Sequence, residues 1–433
     1  MNIKISPNRI NSLQIFQLLR YAANILISIL FAKSYLSTYE IGEYESFIFY
    51  FSIFSFFWLT GLIQTLLSLS NNCKSEKDVK TLLFNGFALS LMFSLLMVIL
   101  SLLFLQNLFP DKDKGFTVLF LIYLLLAPST FIIEYVILLD KQYKKLIIYG
   151  AFNFIIQILL VAIPPIIGLN LLWVFYGMLA VVFIKWLVLF LLWNKNKTLA
   201  FSLLYVKQIF LNSYHLMLSA TLTSSAVFID GIIIKSQFDA NQFAIFRYGA
   251  KEFPLFLLVV TAFSNSILTS FTNNDGYTKV LNEIKTGSSK MIKNLFPVSI
   301  LLILISQYIY PWVFSPDFFE SHKIFDIYLL LIVSRFVFPQ TVIIGMQKPN
   351  LVLKAGIVEL CINIISSLIL IRYYGIIGVA FGTVIAFYSE KLLLVYMVNK
   401  KLGVAASKFI DLKNLLVFSV VLWFLYFAKI YWL

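Results

Sequence analysis

Charged side chains inside strongly apolar stretches are the residues of this sequence that could do chemistry. The basic ones are Arg20, Arg247, Lys251 and Arg335. Arg247 and Lys251 are four residues apart and would share one helical face, and Pro254 follows within a turn to loosen the backbone. Because a guanidinium can meet two phosphate oxygens at once, these residues predict a binding site for a dense anion. The alternative is that they snorkel toward lipid headgroups or pair with nearby acids.

Acidic side chains in the same stretches form a second set of candidates: Asp230, Glu252 and Glu359. A carboxylate removed from water favours a bound proton or cation, so these residues could hold a coupling proton or sodium ion. Pairing that only holds helices together is the other interpretation. For Glu134, near the end of its apolar stretch, the sequence predicts a solvated side chain. No spacing of histidines or cysteines predicts a metal site.

The composition shows which solvent surrounds most of the chain. The 433 residues are 61% hydrophobic and 12% charged, with a mean hydropathy of +0.91. A soluble domain is about half apolar and a quarter charged, so lipid must cover much of this surface. The net charge of +14 comes from basic residues scattered between apolar runs, without a basic tail or patch. Nucleic acid is therefore not a predicted partner.

Apolar segments long enough to cross a bilayer set the predicted architecture, an all-α polytopic membrane protein. A membrane-spanning helix needs about twenty apolar residues. Twelve segments meet this length, and a thirteenth, 415–433, either crosses or lies at the interface. The twelve are 14–32, 46–69, 82–105, 116–138, 147–168, 171–193, 210–234, 243–271, 291–314, 325–346, 351–371 and 376–398.

Lysine and arginine in the loops predict the orientation. Loops on the side of the N-terminus carry 21 of these residues, and loops on the opposite side carry six. Because basic loops are cytoplasmic, the N-terminus is predicted to be inside.

An internal repeat predicts two pseudo-symmetric lobes of six helices. KSYLSTYEIGEY (33–44) and KSQFDANQFAIF (235–246) recur at an offset of 202 residues. Gly150 and Gly177 recur as Gly356 and Gly382, at offsets of 206 and 205. Six spans per half make the repeat parallel, a known plan of transporters with a site between the halves. The predicted domains are 1–200, 201–400 and a C-terminal segment, 401–433.

The stretches that carry a family resemblance are LSTYEIGEY (36–44), Gly61-Leu62, Lys348-Pro349, Asn363 and GIIGVAFGTV (375–384). In these stretches the chain resembles polysaccharide-biosynthesis flippases of the multidrug/oligosaccharidyl-lipid/polysaccharide (MOP) exporter superfamily, which include O-antigen and capsule-repeat translocases. The resemblance implies alternating access in a bacterial cytoplasmic membrane, with a polyprenyl-pyrophosphate-linked oligosaccharide as cargo. It implies membrane lipids, a polysaccharide polymerase and other assembly proteins as partners, and no cofactor.

Two other functions stay open. A MATE-like drug or cation antiporter of the same superfamily would share the repeat but depend on carboxylates, with fewer basic residues inside the membrane. A membrane polysaccharide polymerase would need a catalytic loop outside the membrane, and the loops here are short. No phosphate-binding loop, nucleophile elbow or zinc pattern occurs, so the sequence predicts that the protein is not an enzyme.

Overall fold

The computed structural model describes residues 7–73, 75–104, 114–194, 201–251, 254–272 and 276–432, and all regular secondary structure in them is helical. Glu252, one of the predicted site residues, lies outside the described residues. The chain divides into two compact units, Met1–Ser224 and Ser225–Leu433, called the first and second units below. The prediction of an all-α polytopic fold is confirmed.

The first unit contains the helices that precede the boundary. They are α1 (Pro7–Ala32), α2 (Thr38–Ser70), α3 (Glu76–Leu102), α4 (Lys114–Thr130), α5 (Ile132–Leu139), α6 (Tyr143–Gln157), a π-helical turn (Ile158–Ala162), α7 (Ile163–Ile166), α8 (Leu171–Asn194) and α9 (Leu203–Gln237). The unit boundary falls within α9.

The second unit contains the remainder of α9 and nine further helices. They are α10 (Ala240–Gly249), α11 (Pro254–Thr272), α12 (Tyr277–Val313), α13 (Ser321–Leu330), α14 (Ile332–Arg335), α15 (Pro339–Gly345), α16 (Asn350–Tyr374), α17 (Ile376–Leu402) and α18 (Leu412–Trp432). Short 3-10 turns occur at Pro316–Phe318 and Ala406–Lys408.

Most of these helices are suited to a bilayer. Within the described residues, ten helical segments are long and apolar enough to cross a membrane. Two of them join helices numbered separately above, α4 with α5 (Lys114–Leu139) and α6 with α7 (Tyr143–Ile166). Ser321–Arg335 and Pro339–Gly345, bent by 40° at the break between them, would together make an eleventh span. The C-terminal segment is one of the ten, because Leu412–Tyr431 has the required length and hydropathy.

Two predicted spans are divided at a proline, which corrects the sequence interpretation. Segment 243–271 is divided because α10 ends at Gly249 and α11 begins at Pro254. Segment 325–346 is divided because α14 ends at Arg335 and α15 begins at Pro339. In both cases the second helix starts with proline, which lacks the N–H that a continuous helix requires but fits a first helical turn.

The repeated sequence motif is a helix N-cap in both units. The backbone N–H of Glu40 donates to Ser37 Oγ (3.2 Å) at the start of α2, and the Glu40 side chain reaches back to the N–H of Ser37 (2.8 Å). At the start of α10, the N–H of Gln242 donates to Asp239 Oδ1 (2.9 Å). Ser37 and Asp239 are 202 residues apart. The motif therefore marks the same helix start twice, for which serine and aspartate are preferred residues.

A second pair of matching turns lies 206 residues apart. Lys141 and Gln347 have φ of 60° and 59°, in the left-handed region that side chains rarely adopt. Each turn is closed by the same hydrogen bond, from Gln142 N to the Ile137 carbonyl (3.2 Å) and from Lys348 N to the Ile343 carbonyl (3.0 Å). The two units thus share two local backbone features at nearly constant offsets.

Candidate functional site

A buried carboxylate in the second unit is the centre of the candidate site. Asp230, on α9, is 4% exposed. Its carboxylate accepts hydrogen bonds from Tyr328 Oη (3.0 Å), Asn363 Nδ2 (3.2 Å) and Thr383 Oγ1 (2.5 Å). The donors come from α13, α16 and α17, so four helices of the second unit converge on this one side chain.

Close packing of α16 against α17 explains how the donors reach Asp230. A Cβ atom on Gly382 would lie 2.2 Å from Ser367 Oγ, and one on Gly378 would lie 2.2 Å from the Leu370 carbonyl oxygen. Only glycine permits this approach. The apolar, glycine-spaced stretch 375–384 therefore brings Thr383 beside Asp230, and the Ser367 hydroxyl orients Asn363 by donating to its Oδ1 (2.9 Å).

All three donors to Asp230 are neutral. Within the described residues, no lysine or arginine forms an ion pair with Asp230. Hydrogen bonds from neutral groups satisfy the oxygens of a carboxylate but leave its charge uncompensated, which is costly at bilayer depth. The arrangement is suited to a bound proton or small cation.

Glu359 lies one helical turn from Asn363 on α16, within a group of charged side chains. It is 8% exposed, and its Oε1 atom has no hydrogen-bond partner in the described structure. Glu390, Lys391, Arg335 and Asp230 all lie near enough to interact with it electrostatically. Glu390 is itself held by Gln340 Nε2 (2.5 Å) and by the Lys391 ammonium (3.3 Å).

Arg335 lies at the break between α14 and α15. Its guanidinium carbon is 4.6 Å from the centroid of the Phe387 ring, a cation–π contact. A small cavity, close to the size of one water molecule, is lined by Arg335, by Tyr328 and by Phe256 near the start of α11. The cavity therefore adjoins both the Asp230 site, through Tyr328, and a basic group.

Arg247 and Lys251 do not share a helical face, which corrects the expectation from their spacing. Arg247 is in the last turn of α10, whereas Lys251 lies beyond its end at Gly249. The Lys251 ammonium is 4.2 Å from the centroid of Tyr248, and both basic side chains are half-buried. Gly249, the last residue of α10, allows close packing against α13, because a Cβ there would lie 2.5 Å from the Ser321 carbonyl oxygen.

The first unit places its basic candidate in an ion pair. The Arg20 guanidinium, on α1, pairs with Glu134 on α5 and contacts the rings of Phe16 (5.0 Å) and Phe131 (5.6 Å). Lys185 on α8 approaches the same Phe131 ring (5.9 Å). The prediction that Glu134 is solvated is wrong, because its side chain is 8% exposed. Arg20 remains 34% exposed, so part of its guanidinium is accessible.

Solved structures of membrane transporters share this fold. A structure described as the lipid II flippase MurJ, in an inward closed conformation, matches with a TM-score of 0.68 and 17% identity, over 95% of this chain and 91% of that one. An inward-facing MATE-family multidrug transporter of the MOP superfamily matches with a TM-score of 0.62 and 14% identity, over 91% and 98%. A MOP superfamily transporter from Pyrococcus furiosus matches at 0.56 and 13%, over 90% and 94%.

The chain has the fold of the MOP superfamily. No protein-family model matches it, and no curated protein matches it in sequence.

The chain also contains buried charged residues that were not among the candidates predicted from the sequence. The Lys429 ammonium on α18 donates to Asp326 Oδ2, Ser306 Oγ and the Ile303 carbonyl, each at 2.6 Å, and Ser306 donates to the other Asp326 oxygen. Lys429 and Asp326 each interrupt an apolar stretch, and this signal could have identified them. Glu43 and Glu45, in α2, are also buried, and the predicted second span began after them.

Proposed function

We propose that the chain is a flippase that translocates a polyprenyl-pyrophosphate-linked oligosaccharide repeat unit across the bacterial cytoplasmic membrane by alternating access. Its N-terminus is cytoplasmic in this proposal, and polysaccharide polymerases and other assembly proteins use the delivered unit. The observation that carries the proposal is the set of half-buried basic side chains on a MOP fold. Similarity to a lipid II flippase structure over nearly the whole chain supports a lipid-linked cargo.

The basic residues are assigned to the anionic part of the cargo. Arg20, Arg247, Lys251 and Arg335 are all partly exposed, so a diphosphate could reach them. Aromatic faces support three of these groups, since Arg20, Lys251 and Arg335 each lie over a ring. A planar guanidinium held against a ring is pre-oriented for bidentate contact with phosphate oxygens, which reduces the entropy lost on binding.

Asp230 is assigned to the coupling ion. Sodium and similar hard cations prefer oxygen ligands, and the Asp230 carboxylate lies together with the hydroxyl oxygens of Tyr328 and Thr383. A proton on Asp230 would compensate the same charge. Because α9, α13, α16 and α17 meet at this site, an ion that binds one arrangement of these helices more tightly shifts the equilibrium toward it.

A drug or cation antiporter is the second candidate. It is favoured by the Asp230 carboxylate, which has no basic partner among the described residues and could attract an organic cation in exchange for an ion. The two candidate functions differ in the sign of the charge on the cargo. An anionic lipid needs the basic side chains, whereas an organic cation would be repelled by them.

The deciding experiment uses the full chain reconstituted in vesicles with a fluorescent polyprenyl-diphosphate oligosaccharide. Accessibility of the sugar to a membrane-impermeant glycosidase measures translocation. We expect time-dependent translocation that Arg20→Ala and Arg247→Ala abolish without loss of insertion. Arg372→Ala is the matched control, because Arg372 is an exposed arginine at the end of α16.

Two results would redirect the proposal. Translocation at the wild-type rate by both variants would remove the assignment of these arginines. Absence of translocation by the wild-type chain, together with ion-driven uptake of an organic cation such as ethidium, would favour the antiporter.

A further inference from the structure

A groove lined by lysines lies at one end of the first unit. It has a volume of about 570 Å³ and is open to the surface. Ser12 and Ile15 of α1 line one side. Lys141, Lys144 and Lys145, from the turn before α6 and its first residues, line the other. None of these lysines belongs to the set assigned above to the cargo.

The three lysines carry charge that the described structure does not neutralise. All three are exposed, and within the described residues none forms an ion pair. Asp140 is the acid nearest in sequence, and it interacts electrostatically with Lys145 and Lys80. Burial raises the pKa of Asp140, an effect that these two lysines oppose. Glu76 also interacts electrostatically with Asp140. Two carboxyls, Asp140 and Glu76, against four ammonium groups, those of Lys80 and the three groove lysines, leave this end of the unit positive.

The fold does not require these charges. The matching turn in the second unit has Gln347 where the first has Lys141, and Asn350 and Leu351 where it has Lys144 and Lys145. Lys141 has φ of 60°, where glycine is the favoured residue. A lysine at this position thus adds a charge to the groove at some cost in backbone energy.

Exposed apolar side chains continue from the groove along both of its walls. Ile15 and Leu18 on α1 are each 41% exposed, and Ile148 and Phe152 on α6 are 67% and 56% exposed. A ligand with a phosphate group and hydrocarbon chains fits both the lysine-lined groove and the apolar walls next to it. A soluble phosphate would contact only the lysines.

We propose that this groove binds the phosphate headgroup of an anionic phospholipid, with the acyl chains along α1 and α6. Basic pockets between membrane helices at the cytoplasmic side suit such headgroups, and each lysine strengthens binding by roughly fivefold. The inference uses the proposed cytoplasmic position of the N-terminal side of α1. It does not depend on the identity of the transported cargo, because it concerns a resident lipid.

Native mass spectrometry of the detergent-purified full chain tests this site. The probes are phosphatidylglycerol, phosphatidylcholine of the same chain length, and a polyprenyl diphosphate. We expect the wild type to bind phosphatidylglycerol at least about tenfold more tightly than phosphatidylcholine, and the triple variant Lys141→Gly, Lys144→Gln, Lys145→Gln to lose this preference. Asp140→Asn should strengthen phosphatidylglycerol binding a few-fold, since it removes an opposing charge.

The controls separate a local site from general surface charge and from misfolding. Lys348→Gln with Lys354→Gln removes two exposed lysines at the matching end of the second unit and should leave the preference unchanged. Lys141→Gly alone should not lower the melting temperature, because glycine relaxes the left-handed backbone.

Three outcomes would overturn the proposal: no preference in the wild type, an unchanged preference in the triple variant, or an equal loss in the control variant. A triple variant that loses only polyprenyl diphosphate would overturn it too, and would assign the groove to the cargo instead. Since no transport is measured, failure of the flippase proposal would leave these results unaffected.

Discussion

Asp230 and Asp326 are two buried aspartates of the second unit, and they are satisfied in different ways. Both are nearly inaccessible, at 4% and 3% exposure. Asp326 receives a lysine ammonium and a serine hydroxyl, so its charge is compensated within the chain. Asp230 receives three neutral donors. Burial alone therefore does not distinguish the two carboxylates. Both oxygens of Asp230 accept hydrogen bonds, but no basic side chain among the described residues compensates its negative charge.

Removing the compensating charge at Asp326 should have the largest effect on stability. Lys429→Met leaves a buried carboxylate with only Ser306, and breaking a buried ion pair in this way costs about 3–5 kcal/mol. Thermal unfolding in detergent measures the loss. Lys413→Met, at the exposed start of the same helix, should be close to neutral. Adding Asp326→Asn to Lys429→Met should recover part of the loss, and a drop no larger than that of Lys413→Met would contradict the structural role.

Removing the negative charge of Asp230 should affect transport much more than stability. Asp230→Asn keeps the shape, removes the charge and replaces one acceptor oxygen by an amide donor. Because relief of the buried charge offsets the lost hydrogen bond, we expect the free energy of unfolding to change by about 1 kcal/mol. Ion-driven transport should fall by at least about tenfold. Sodium or acid should stabilise the wild type, by about 2.7 kcal/mol when the ion is at a hundred times its Kd, and should not stabilise the variant. Equal ion-dependent stabilisation of both proteins would place the ion elsewhere.

The Arg20–Glu134 pair extends the comparison to the first unit, where a half-exposed cation meets a buried acid. Arg20→Gln leaves the buried Glu134 carboxylate without its partner, whereas Glu134→Gln leaves a guanidinium that water can reach. The first variant should therefore lose more stability than the second. In a double-mutant cycle we expect a coupling energy of about 0.5–3 kcal/mol from unfolding measurements. A coupling near zero would mean that the contact has no energetic weight.

The helical membrane fold could be predicted from the sequence because a lipid environment requires long apolar helices. Apolar length predicts most of the membrane-length helices, whereas the predicted orientation stays a prediction. The repeat at offset 202 corresponds to the caps Ser37 and Asp239. The helix breaks at Pro254 and Pro339 were harder to predict from the sequence. Prolines also lie inside the continuous helix α12, at Pro297 and Pro311, so proline alone does not specify a break.

The candidate site could be predicted only in part, for a different reason. Asp230 could be named because a lone acid in an apolar stretch is conspicuous, but its donors lie 98 to 153 residues away in sequence. Arg20 and Glu134 are 114 residues apart, and Lys429 and Asp326 are 103 apart. Hydrophobic periodicity carries no information on which charge meets which. The sequence thus identifies candidates for burial, and only tertiary structure distinguishes a paired charge from an unpaired one.

Asp411, at the start of α18, is a third aspartate that tests the comparison at the membrane edge. It accepts from Ser289 Oγ (2.6 Å) and from the side chain of Asn414 (2.5 Å), again neutral donors, but it lies outside the span. The Ser289 and Asn414 hydrogen bonds lower the pKa of Asp411. Its stabilising contribution is therefore complete above the unfolded pKa of about 3.9 and is lost as pH falls through the lower folded value.

Substitution of Asp411 should have the smallest effect of the set. Asp411→Ala removes a helix cap and should cost about 1 kcal/mol in thermal unfolding at pH 7. Asp411→Asn should cost less, since an amide oxygen still accepts at this position. In water the ionised form needs no compensating cation, so added sodium should not change the melting temperature difference between wild type and Asp411→Asn. If sodium stabilised Asp411 as strongly as Asp230, uncompensated charge in a dry environment could not be the property that distinguishes Asp230 as the proposed ion site.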